Sequence, residues 1–600
     1  MERVADYIIE QIKKAGARHI FLVTGRGILY LSDAVAREKD ILGVATYHEQ
    51  GASYAAMAYA QSNEGLGTCL VSTGCAATNA ITAVLCAWQD GIPCVFISGQ
   101  HILAETTYYT GLPIRTYGSQ ETDIIKIVKP ITKYAVMITD YRKAAYEIEK
   151  AIHLAKTGRK GPVWVDIPLD IQNMRIIPEE MEHFTIENQA SMEDNRLDQA
   201  VEEIFEELMR ADRPIVMIGS GVRSAGAIES LTTFIEKNEL PLVYTSSAAD
   251  TYGSKNRLSI GAVGGMGGSR AGNFAVQNSD YVLCIGSRLC SQTIGPEPGK
   301  FARKANITVV DIDEMEHKKA GAKISRLVIA DAKEFLDKIN QKKRLNCNGK
   351  WIEKCIHWKQ EFDIKNEISL QKIRKEGKIE LHYFSDSLSE VLPDDAVVIT
   401  DAGLEELIIP AYIRFHKHQR CLFPAAQGAM GYAIPAIIGA YYAGKKNIVA
   451  VVGDGSVMMN IQELQTISYH HIPAKIIVIN NNMYAVIRKR QRDLFRTRTI
   501  GNDPSDGLGR PDFEKIAESS GLKYKRIDSS DRLLVELNLL MQEKEAVLCE
   551  VLCEEEQIYF HNSFTVNKDR KVVRRPIEDL SPFLTREKFL AEMIIEPIDQ

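Results

Sequence analysis

Residues 448–482 read IVAVVGDGSVMMNIQELQTISYHHIPAKIIVINNN. Two apolar runs, IVAVV and KIIVI, flank a stretch with helical character. Continuous apolar runs of this length are typical of parallel strands that helices cover on both faces. The segment therefore predicts a strand, a glycine-containing turn, a helix and a second strand. The turns at Gly453 and Asn480 would lie at the carboxyl ends of neighbouring strands, where α/β proteins bind ligands.

Similar apolar runs recur along the whole chain and alternate with stretches of helical character. They are HIFLV (19–23), TCLVS (68–72), PCVFIS (93–98), PVWVDI (162–167), PIVMIG (214–219), YVLCIG (281–286), ITVVDID (307–313) and AVVIT (396–400). Polar segments at 173–193 and 341–379 interrupt this rhythm and are predicted connectors. We therefore predict an α/β protein with three doubly wound parallel-sheet domains at 1–175, 190–340 and 375–560. A surface-wrapping C-terminal tail is predicted at 561–600.

Composition and charge exclude several classes of function. The 600 residues carry a net charge of −6, and no basic stripe suggests a nucleic-acid partner. No run approaches the roughly 18 apolar residues of a membrane helix, so no membrane partner is predicted. The eleven cysteines form no paired CxxC motifs, which argues against a zinc site. An odd cysteine count in a large chain favours a reducing, cytoplasmic location.

The quoted segment also carries the residue types of a metal and phosphate site. Asp454 offers a carboxylate, Asn481 an amide oxygen and Met483 a backbone carbonyl, and Mg²⁺ prefers such oxygen ligands together with phosphate oxygens. Gly453 and Gly455 allow the backbone to approach phosphate, and the amides of the following helix, beginning near Ser456, would face its charge. A structural turn is the alternative, but a GDG turn and an Asn-rich turn that both end strands form a much more specific pattern.

At this point the sequence resembles the thiamine diphosphate (ThDP)-dependent decarboxylase and acetolactate synthase family, over nearly the whole chain. The resemblance implies ThDP and Mg²⁺ as cofactors, with Asp454 and Asn481 as metal ligands. It implies that the three domains are a pyrimidine-binding, a central and a diphosphate-binding domain. It also implies that each active site forms across a subunit boundary, so we predict a homodimer or homotetramer.

The family's activating carboxylate corresponds to Glu49 in the sequence YHEQGASYAAMAYA. In the family this group bonds to the pyrimidine ring and enables the cofactor to lose its reactive proton, while the protein sets tautomer and orientation. Glu49 is therefore predicted to be both catalytic and cofactor-binding. The alternative is a glutamate that is favoured at a helix start by the helix dipole alone.

Two further segments of the first domain resemble family loops beside this glutamate. Residues 72–79, STGCAATN, match the GPGATN loop, and we expect Thr73 and Asn79 to contact the cofactor. Gln120 lies in a GSQE stretch that resembles the family's FQE turn and is predicted to meet the substrate as a catalytic residue. His101 is a candidate acid or base for the substrate, and a solvated loop histidine is the alternative.

The last domain contains two more matches to cofactor-binding motifs. In QGAMGYAIP, Met430 occupies the position of the apolar residue that holds the family's cofactor bent, and Gly428 permits close backbone approach. Ala402 and Gly403 follow the strand AVVIT and are predicted to contact the diphosphate. Acetolactate synthases usually place Gln and His after this glycine, whereas Leu404 and Glu405 stand here. This departure weakens an assignment to acetolactate synthase proper.

The residues after the metal loop bear on the acceptor substrate. Tyr484 is predicted to contact the cofactor, and Arg488 and Arg490 stand near the position where acetolactate synthases have a Trp. Arginine suits carboxylate or phosphate, and a solvated basic helix face is the alternative. This stretch, with 505–521 and 578–590, resembles an acetolactate synthase-like branch found among surface-polysaccharide genes. That resemblance implies a keto nucleotide sugar as acceptor.

The central domain leaves one cofactor open. Glycine-rich turns follow its strands, as in IGSG at 218–221, and in acetolactate synthases this domain binds FAD. The turn that contains His in the family, GMHG, reads GMGGS here, and a lone GxG is weak evidence. Whether FAD is bound therefore stays open.

Three functions compete at this stage. The first is a carboligase (transferase or lyase) that cleaves a 2-oxo acid, pyruvate above all, and transfers the fragment to a carbonyl acceptor, either a keto nucleotide sugar or a 2-oxo acid. The second is a simple decarboxylase that releases an aldehyde. The third is a non-catalytic nucleotide-binding α/β protein, and the presence of Glu49 argues against it.

Overall fold

The computed structural model describes residues 1–186, 194–367 and 376–599. Parts of the two predicted connectors, and the predicted domain limits at 190, 375 and 600, lie outside the described residues. The positions of those limits stay predictions.

The N-terminal part of the chain forms a six-stranded parallel sheet and a separate two-stranded antiparallel sheet. Its strands are β1 (Glu2–Arg3), β2 (His19–Leu22), β3 (Leu42–Ala45), β4 (Gly67–Val71), β5 (Cys94–Gln100), β6 (Tyr134–Met137), β7 (Pro162–Pro168) and β8 (Arg175–Ile176). Six of them pair in the order β3-β2-β4-β5-β7-β6, and β1 pairs with β8 antiparallel. The helices are Val4–Lys14, Leu29–Arg37, Glu49–Asn63, Cys75–Asn79, Ile81–Asp90, Thr107–Thr110, Ile124–Val128, Ala144–Lys156 and Leu169–Asn173.

The central part forms a second parallel sheet with a different strand order. Its strands are β9 (Pro214–Ile218), β10 (Leu242–Tyr244), β11 (Ser259–Ala262), β12 (Tyr281–Ile285), β13 (Asn306–Asp311) and β14 (Arg326–Ile329). They pair in the order β11-β10-β9-β12-β13-β14, the arrangement of dinucleotide-binding folds. The helices are Asp194–Arg210, Gly221–Ser224, Ile228–Asn238, Arg270–Asn278, Ser291–Ile294, Ala332–Ile339 and Gly349–Glu361.

The C-terminal sheet repeats the topology of the first. Its strands are β15 (Val397–Ile399), β16 (Arg420–Leu422), β17 (Ile448–Gly453), β18 (Lys475–Asn480), β19 (Lys523–Ile527) and β20 (Val547–Leu552), in the order β16-β15-β17-β18-β20-β19. The helices are Leu381–Val391, Gly403–Tyr412, Ala433–Tyr442, Asp454–Val457, Glu463–Tyr469, Ala485–Phe495, Phe513–Ser519 and Leu533–Met541. The first and last sheets therefore share one fold, although no sequence identity between them is evident.

The predicted fold class is confirmed. Every apolar run named above forms a strand, and strands such as β4, β5 and β7 are buried along their whole length. Such strands have helices on both faces, which is why their sequences lack polar alternation. The predicted connector at 341–379 contains the helix Gly349–Glu361, whose Trp351 and Trp358 are buried in the central core.

The first and last domains meet at a close crossing of two helices. The helix Ala433–Tyr442 packs on the helix Glu49–Asn63. A Cβ atom built on Gly439 would lie 2.1 Å from the carbonyl oxygen of Ala55, so only glycine allows this approach. Alanines line both helices around this contact, and the two cofactor-type domains of one chain are thus held in direct backbone proximity.

A partly buried group of charges joins all three domains. Asp250 of the central domain accepts from Arg420 Nε of the last domain at 2.9 Å and pairs with Arg223 at 3.2 Å. Glu64 of the first domain pairs with Arg223 at 2.9 Å. Burial opposes the charged form of Asp250, but the nearby charges of Arg223 and Arg420 hold its pKa below the usual value. Asp250 therefore stays ionised at neutral pH, and its ion pair with Arg420 links the central and last domains.

The C-terminal tail docks into the central domain instead of only covering its surface. It contains the hairpin β21 (Phe564–Val566) and β22 (Val572–Arg574) and the helix Arg586–Glu592. Asn273 Nδ2 donates to the carbonyl oxygen of Ile577 at 2.8 Å, and Gln277 Nε2 donates to Glu578 at 2.6 Å. Glu578 is buried and also pairs with Arg303, so the tail is anchored by polar contacts inside the protein.

Candidate active site

Three loops meet at the carboxyl edge of the C-terminal sheet. β15, β17 and β18 are neighbours, and they lead into residues 401–403, 453–456 and 480–484. The strand order reverses between β15 and β17, and at such a switch point α/β proteins bind ligands. Asp401 links two of these loops, because its Oδ2 accepts from Ser456 Oγ at 2.6 Å, and it also accepts from the backbone N–H of Gly431 at 3.2 Å. Burial raises the pKa of Asp401 to about 6.

The two predicted metal ligands lie at neighbouring loop starts. Asp454 is 8% exposed and Asn481 is 5% exposed. The carboxylate of Asp454 accepts from the backbone N–H groups of Gly455 at 2.7 Å and Asn482 at 2.9 Å. Burial raises the pKa of Asp454 to about 6, although these N–H groups oppose the shift. A buried carboxylate of this kind is stabilised by a bound cation. In the described part of the chain, no cluster of three or more His, Cys, Asp or Glu side chains offers another metal site.

A cavity of about 700 Å³ opens beside these loops, and we call it the main cavity. Predicted residues from four segments line it together: Ala402, Gly403, Gly428, Met430, Gly453, Asp454, Gly455, Ser456, Asn481, Met483 and Tyr484. Gly428 has φ +55°, a left-handed conformation that favours glycine, and a Cβ atom there would displace the Glu406 carboxylate, whose Oε2 would lie 2.0 Å away. The predicted diphosphate and metal residues therefore share one continuous surface.

Two glutamates in the main cavity were not predicted to be functional. Glu405 is 6% exposed, Glu406 is half-buried, and the side chain of neither forms an ion pair within the described residues. Burial raises the pKa of each to about 8, so both are mostly protonated at neutral pH. The departure from the family pattern at Leu404 and Glu405 was the sequence feature that could have drawn attention to these glutamates. It gave no indication that the glutamates are buried.

The predicted residues of the first domain form a second group at the carboxyl edge of the N-terminal sheet. Asn79 Nδ2 donates to Glu49 Oε2 at 2.9 Å. Thr73 Oγ1 donates to Gln100 Oε1 at 2.7 Å and lies 3.2 Å from the carbonyl oxygen of Gln120. The loops that carry Glu49, Asn79, Thr73 and Gln120 are thus connected in pairs by side-chain hydrogen bonds.

His101 lies beside this second group. Its Nδ1 atom is 2.9 Å from Glu105 Oε2, and the ring is mostly buried. With Gln120, Thr73 and Gln100 it lines a small cavity of about 20 Å³. Within the described residues, neither Glu49 nor His101 lines the main cavity of the same chain. One chain thus presents two separate groups of predicted residues, one on each cofactor-type domain.

The predicted basic cluster divides between two environments. Arg490 lines the main cavity, and its Nη2 lies 3.3 Å from the sulfur of Met266. Arg488 points elsewhere and pairs with Asp503 at 2.6 Å. Lys489 pairs with Asp493 at 2.9 Å. Of the two arginines predicted to meet a substrate, the geometry places only Arg490 at the cavity.

A second cavity, of about 310 Å³, lies between the central and first domains, and we call it the central cavity. It lies at the carboxyl ends of β9 and β12, where the strand order reverses, and is lined by Gly219, Gly221, Gly286 and Asp311 among others. Cβ atoms on Gly219 and Gly221 would meet the backbone of Gly286 at 2.3 Å and 2.7 Å. These glycine turns therefore bring two loops into contact at the cavity wall.

Comparison with known proteins adds to this geometry. Three family models match, described as the N-terminal TPP binding domain, the central domain and the C-terminal TPP binding domain of thiamine pyrophosphate enzymes, at residues 2–127, 201–339 and 401–551. No described helix is long and apolar enough to cross a membrane.

Several relatives are similar over most of the chain. The acetolactate synthase large subunit of Lactococcus lactis subsp. lactis (strain IL1403) is 29% identical over 550 residues, which cover 91% of this chain and 92% of the relative. The probable acetolactate synthase 2, chloroplastic, of Oryza sativa subsp. japonica is 30% identical over 549 residues, covering 87% and 79%. The acetolactate synthase large subunit of Buchnera aphidicola subsp. Schizaphis graminum (strain Sg) is 29% identical, covering 90% and 92%.

Proposed function

Because the chain belongs to the thiamine pyrophosphate enzyme family and is acetolactate synthase-like, we propose that it is a ThDP- and Mg²⁺-dependent carboligase. It would cleave the C1–C2 bond of a 2-oxo acid, pyruvate first, release CO₂ and join the remaining two-carbon unit to the carbonyl carbon of an acceptor. The observation that carries the proposal is the shared surface of Asp454, Asn481 and the bare backbone at Gly428 and Gly453.

We propose that the cofactor's diphosphate and Mg²⁺ bind at this surface. Asp454, Asn481 and the carbonyl of Met483 would supply oxygen ligands to the metal. The helix that begins at Asp454 would direct backbone N–H groups at the phosphates. When bound, ThDP supplies a carbon nucleophile and an electron sink for C–C bond cleavage. Met430 lines the same cavity and would support the cofactor's bend.

The second group of residues supports a site shared between two subunits. We propose that Glu49 of one chain serves the cofactor held by Asp454 of another, where it would hold and exchange a proton at the pyrimidine ring. Large apolar side chains on the loop beside Gln120 are exposed in the single chain, among them Tyr109 at 61%, Leu112 at 60% and Tyr117 at 58%. Exposed apolar residues in such number support burial against a second copy, so we propose a homodimer or a dimer of dimers.

The cellular location of the protein stays a proposal as well. All eleven cysteines are free thiols, which supports a reducing, cytoplasmic compartment.

The exposed Arg490 in the main cavity supports an acceptor with an anionic group, and we propose a keto nucleotide sugar. A simple decarboxylase is the second candidate, because the residues proposed to hold the cofactor serve both reactions.

Incubation with pyruvate, ThDP and Mg²⁺ tests the acceptor. We expect a product two carbons heavier than a supplied 4-keto or 3-keto nucleotide sugar, detected by mass spectrometry, since the cavity supports an acceptor beside the cofactor. Protein without Mg²⁺ is the control. Pyruvate turnover to acetaldehyde that no keto nucleotide sugar alters would argue for the simple decarboxylase.

We further propose that the central cavity binds an adenine nucleotide, with FAD as the form that the family resemblance implies. The support is the pair of glycine turns at the switch point and the carboxylate of Asp311 at the end of β13. If FAD is the ligand, purified protein absorbs at about 450 nm, as flavins do, and releases the chromophore on denaturation. A colourless preparation that gains no absorbance after incubation with FAD and gel filtration would exclude FAD.

A further inference from the structure

One part of the main cavity wall is built by segments far apart in sequence. The central domain contributes Gly265 and Gln292, and the tail contributes Asn562 and Arg574. The backbone N–H of Asn562 donates to the carbonyl oxygen of Gly265 at 2.8 Å, which fixes the tail against the central domain. Arg490, from the helix after the Asn-rich turn, lines the same cavity. The tail is therefore part of the proposed active site.

Arg490 and Arg574 differ from the other basic residues of this region. Arg488, Lys489 and Arg492, on the same helix as Arg490, each pair with a carboxylate. Within the described part of the chain, neither Arg490 nor Arg574 forms an ion pair. Two guanidinium groups without carboxylate partners thus line one cavity.

Arg574 is held in place although it has no anionic partner among the described residues. Its Cζ atom lies 4.3 Å from the centre of the Phe564 ring, a cation–π contact across the tail hairpin. Lys300 Nζ donates to its carbonyl oxygen at 2.9 Å, and Lys300 itself pairs with Glu297. The Nε–H group of Arg574 is buried and finds no acceptor in the described ranges. Its Nη groups also find no acceptor in the described ranges but are not buried, so they are the donors that an anion in the cavity can reach.

The acids of the main cavity do not neutralise these arginines. Burial raises the pKa of Glu405 and of Glu406 to about 8, so both stay largely uncharged at neutral pH. Asp454 is occupied by backbone donors and is the proposed metal ligand. Arg574 also lines a small cavity together with Pro296 and Glu297, and none of the proposed diphosphate residues lines it. Both arginines line the main cavity, and Arg574 does so on the side that borders this small cavity.

We infer that Arg490 and Arg574 form an oxyanion-binding subsite that holds the carboxylate or phosphate group of the acceptor substrate. The assignment of the bound anion to the acceptor substrate rests on the proposed carboligase function. The anion-binding site itself does not rest on it. Guanidinium groups bind both oxyanions through paired N–H donors, and charge-assisted bonds of this kind are the stronger class. The subsite would orient the acceptor so that its carbonyl faces the cofactor.

Direct titration tests the subsite without turnover. The protein saturated with ThDP and Mg²⁺ is titrated calorimetrically with inorganic phosphate and, separately, with butyrate as an unreactive carboxylate. We expect one of the two anions to bind. Arg574→Met and Arg490→Met should each weaken the affinity for that anion about tenfold, as removal of a charged hydrogen bond does. Lys571→Met on the same hairpin and Arg492→Met on the same helix are the matched controls. No binding of either anion, or binding that neither variant weakens, overturns the inference.

Kinetics with matched acceptors identifies the anion and separates this inference from the proposed function. With pyruvate as donor, glyceraldehyde 3-phosphate is compared with glyceraldehyde, and 2-oxobutyrate with propanal. The anion-bearing member of one pair is expected to have the higher kcat/KM, and each arginine variant should reduce that preference about tenfold through the acceptor's KM. A preference that both variants retain overturns the inference. A protein that never releases CO₂ from pyruvate contradicts the proposed function instead, and the titration then still decides the subsite.

Discussion

Glu49→Gln is expected to lower turnover by about 1,000-fold while ThDP binding changes little, since loss of a positioned acid–base group costs about two to four orders of magnitude. The amide cannot exchange a proton with the pyrimidine ring, but it preserves shape and can still bond to Asn79 Nδ2, which lies 2.9 Å from the glutamate. Pyruvate consumption measures the rate, and fluorescence titration with ThDP measures the affinity.

A matched control separates the chemistry from general damage. Glu10→Gln changes a partly exposed glutamate that pairs with Lys14 on the first helix, and we expect wild-type turnover from it. If Glu49→Gln keeps near-full activity, the proposed mechanism is wrong for this protein.

Asp454→Asn is expected to weaken Mg²⁺-dependent ThDP binding by about 100-fold or more. Even residues that only hydrogen-bond to a metal ligand change metal affinity by about tenfold to 100-fold when they are mutated. The variant retains size and can accept one hydrogen bond, but it lacks the charge that attracts the metal. Isothermal titration with ThDP at fixed Mg²⁺ measures the change. Unaltered affinity would place the metal elsewhere.

The thermal stability of the same variant should change in opposite directions with and without cofactor. Burial raises the pKa of Asp454 to about 6, above its value in the unfolded chain, so its charged form opposes folding. This destabilisation is absent at low pH, develops as pH rises to about 6 and is complete above it. At about pH 8 the cofactor-free Asp454→Asn protein should therefore have a Tm no lower than wild type. ThDP with Mg²⁺ should raise the Tm of the wild type only.

Mixing the two variants tests whether the site is shared between subunits. If Glu49 and Asp454 of different chains form one site, each mixed dimer contains one intact site. Random reassortment of equal amounts of the Glu49→Gln and Asp454→Asn chains should then restore about a quarter of the wild-type activity. Sites formed within a single chain would give no recovery.

The sequence was sufficient to predict the sheets because their strands are covered on both faces. Runs such as IVAVV and KIIVI are apolar except for the leading Lys475 and are too short to be membrane helices, so buried parallel strands are the structure that they favour. Asp454 and Asn481 could be predicted for the same reason. Each follows such a run within two residues, so the sheet itself places them at one edge.

The remaining site residues depend on tertiary contacts that local sequence does not encode. Arg574 reaches the main cavity only because the tail docks on the central domain through Asn273 and Gln277. The raised pKa of Glu405 arises mainly from burial, and the local sequence GLEEL does not predict that this glutamate is buried. The different environments of Arg488 and Arg490 could have been predicted, since the side chains of residues two apart on a helix differ by about 200° in direction.

The crossing of the helices Glu49–Asn63 and Ala433–Tyr442 also has a dynamic consequence. Gly439 lets the two backbones touch, and close-packed interfaces of this kind do not slide or deform gradually. The first and last domains of a chain should therefore move as one rigid body. Within one chain, any opening that admits a substrate must then come from the central-domain turns, from the tail hairpin or from local movement of the helix Ala485–Phe495 inside the last domain. No residue of that helix is fully buried.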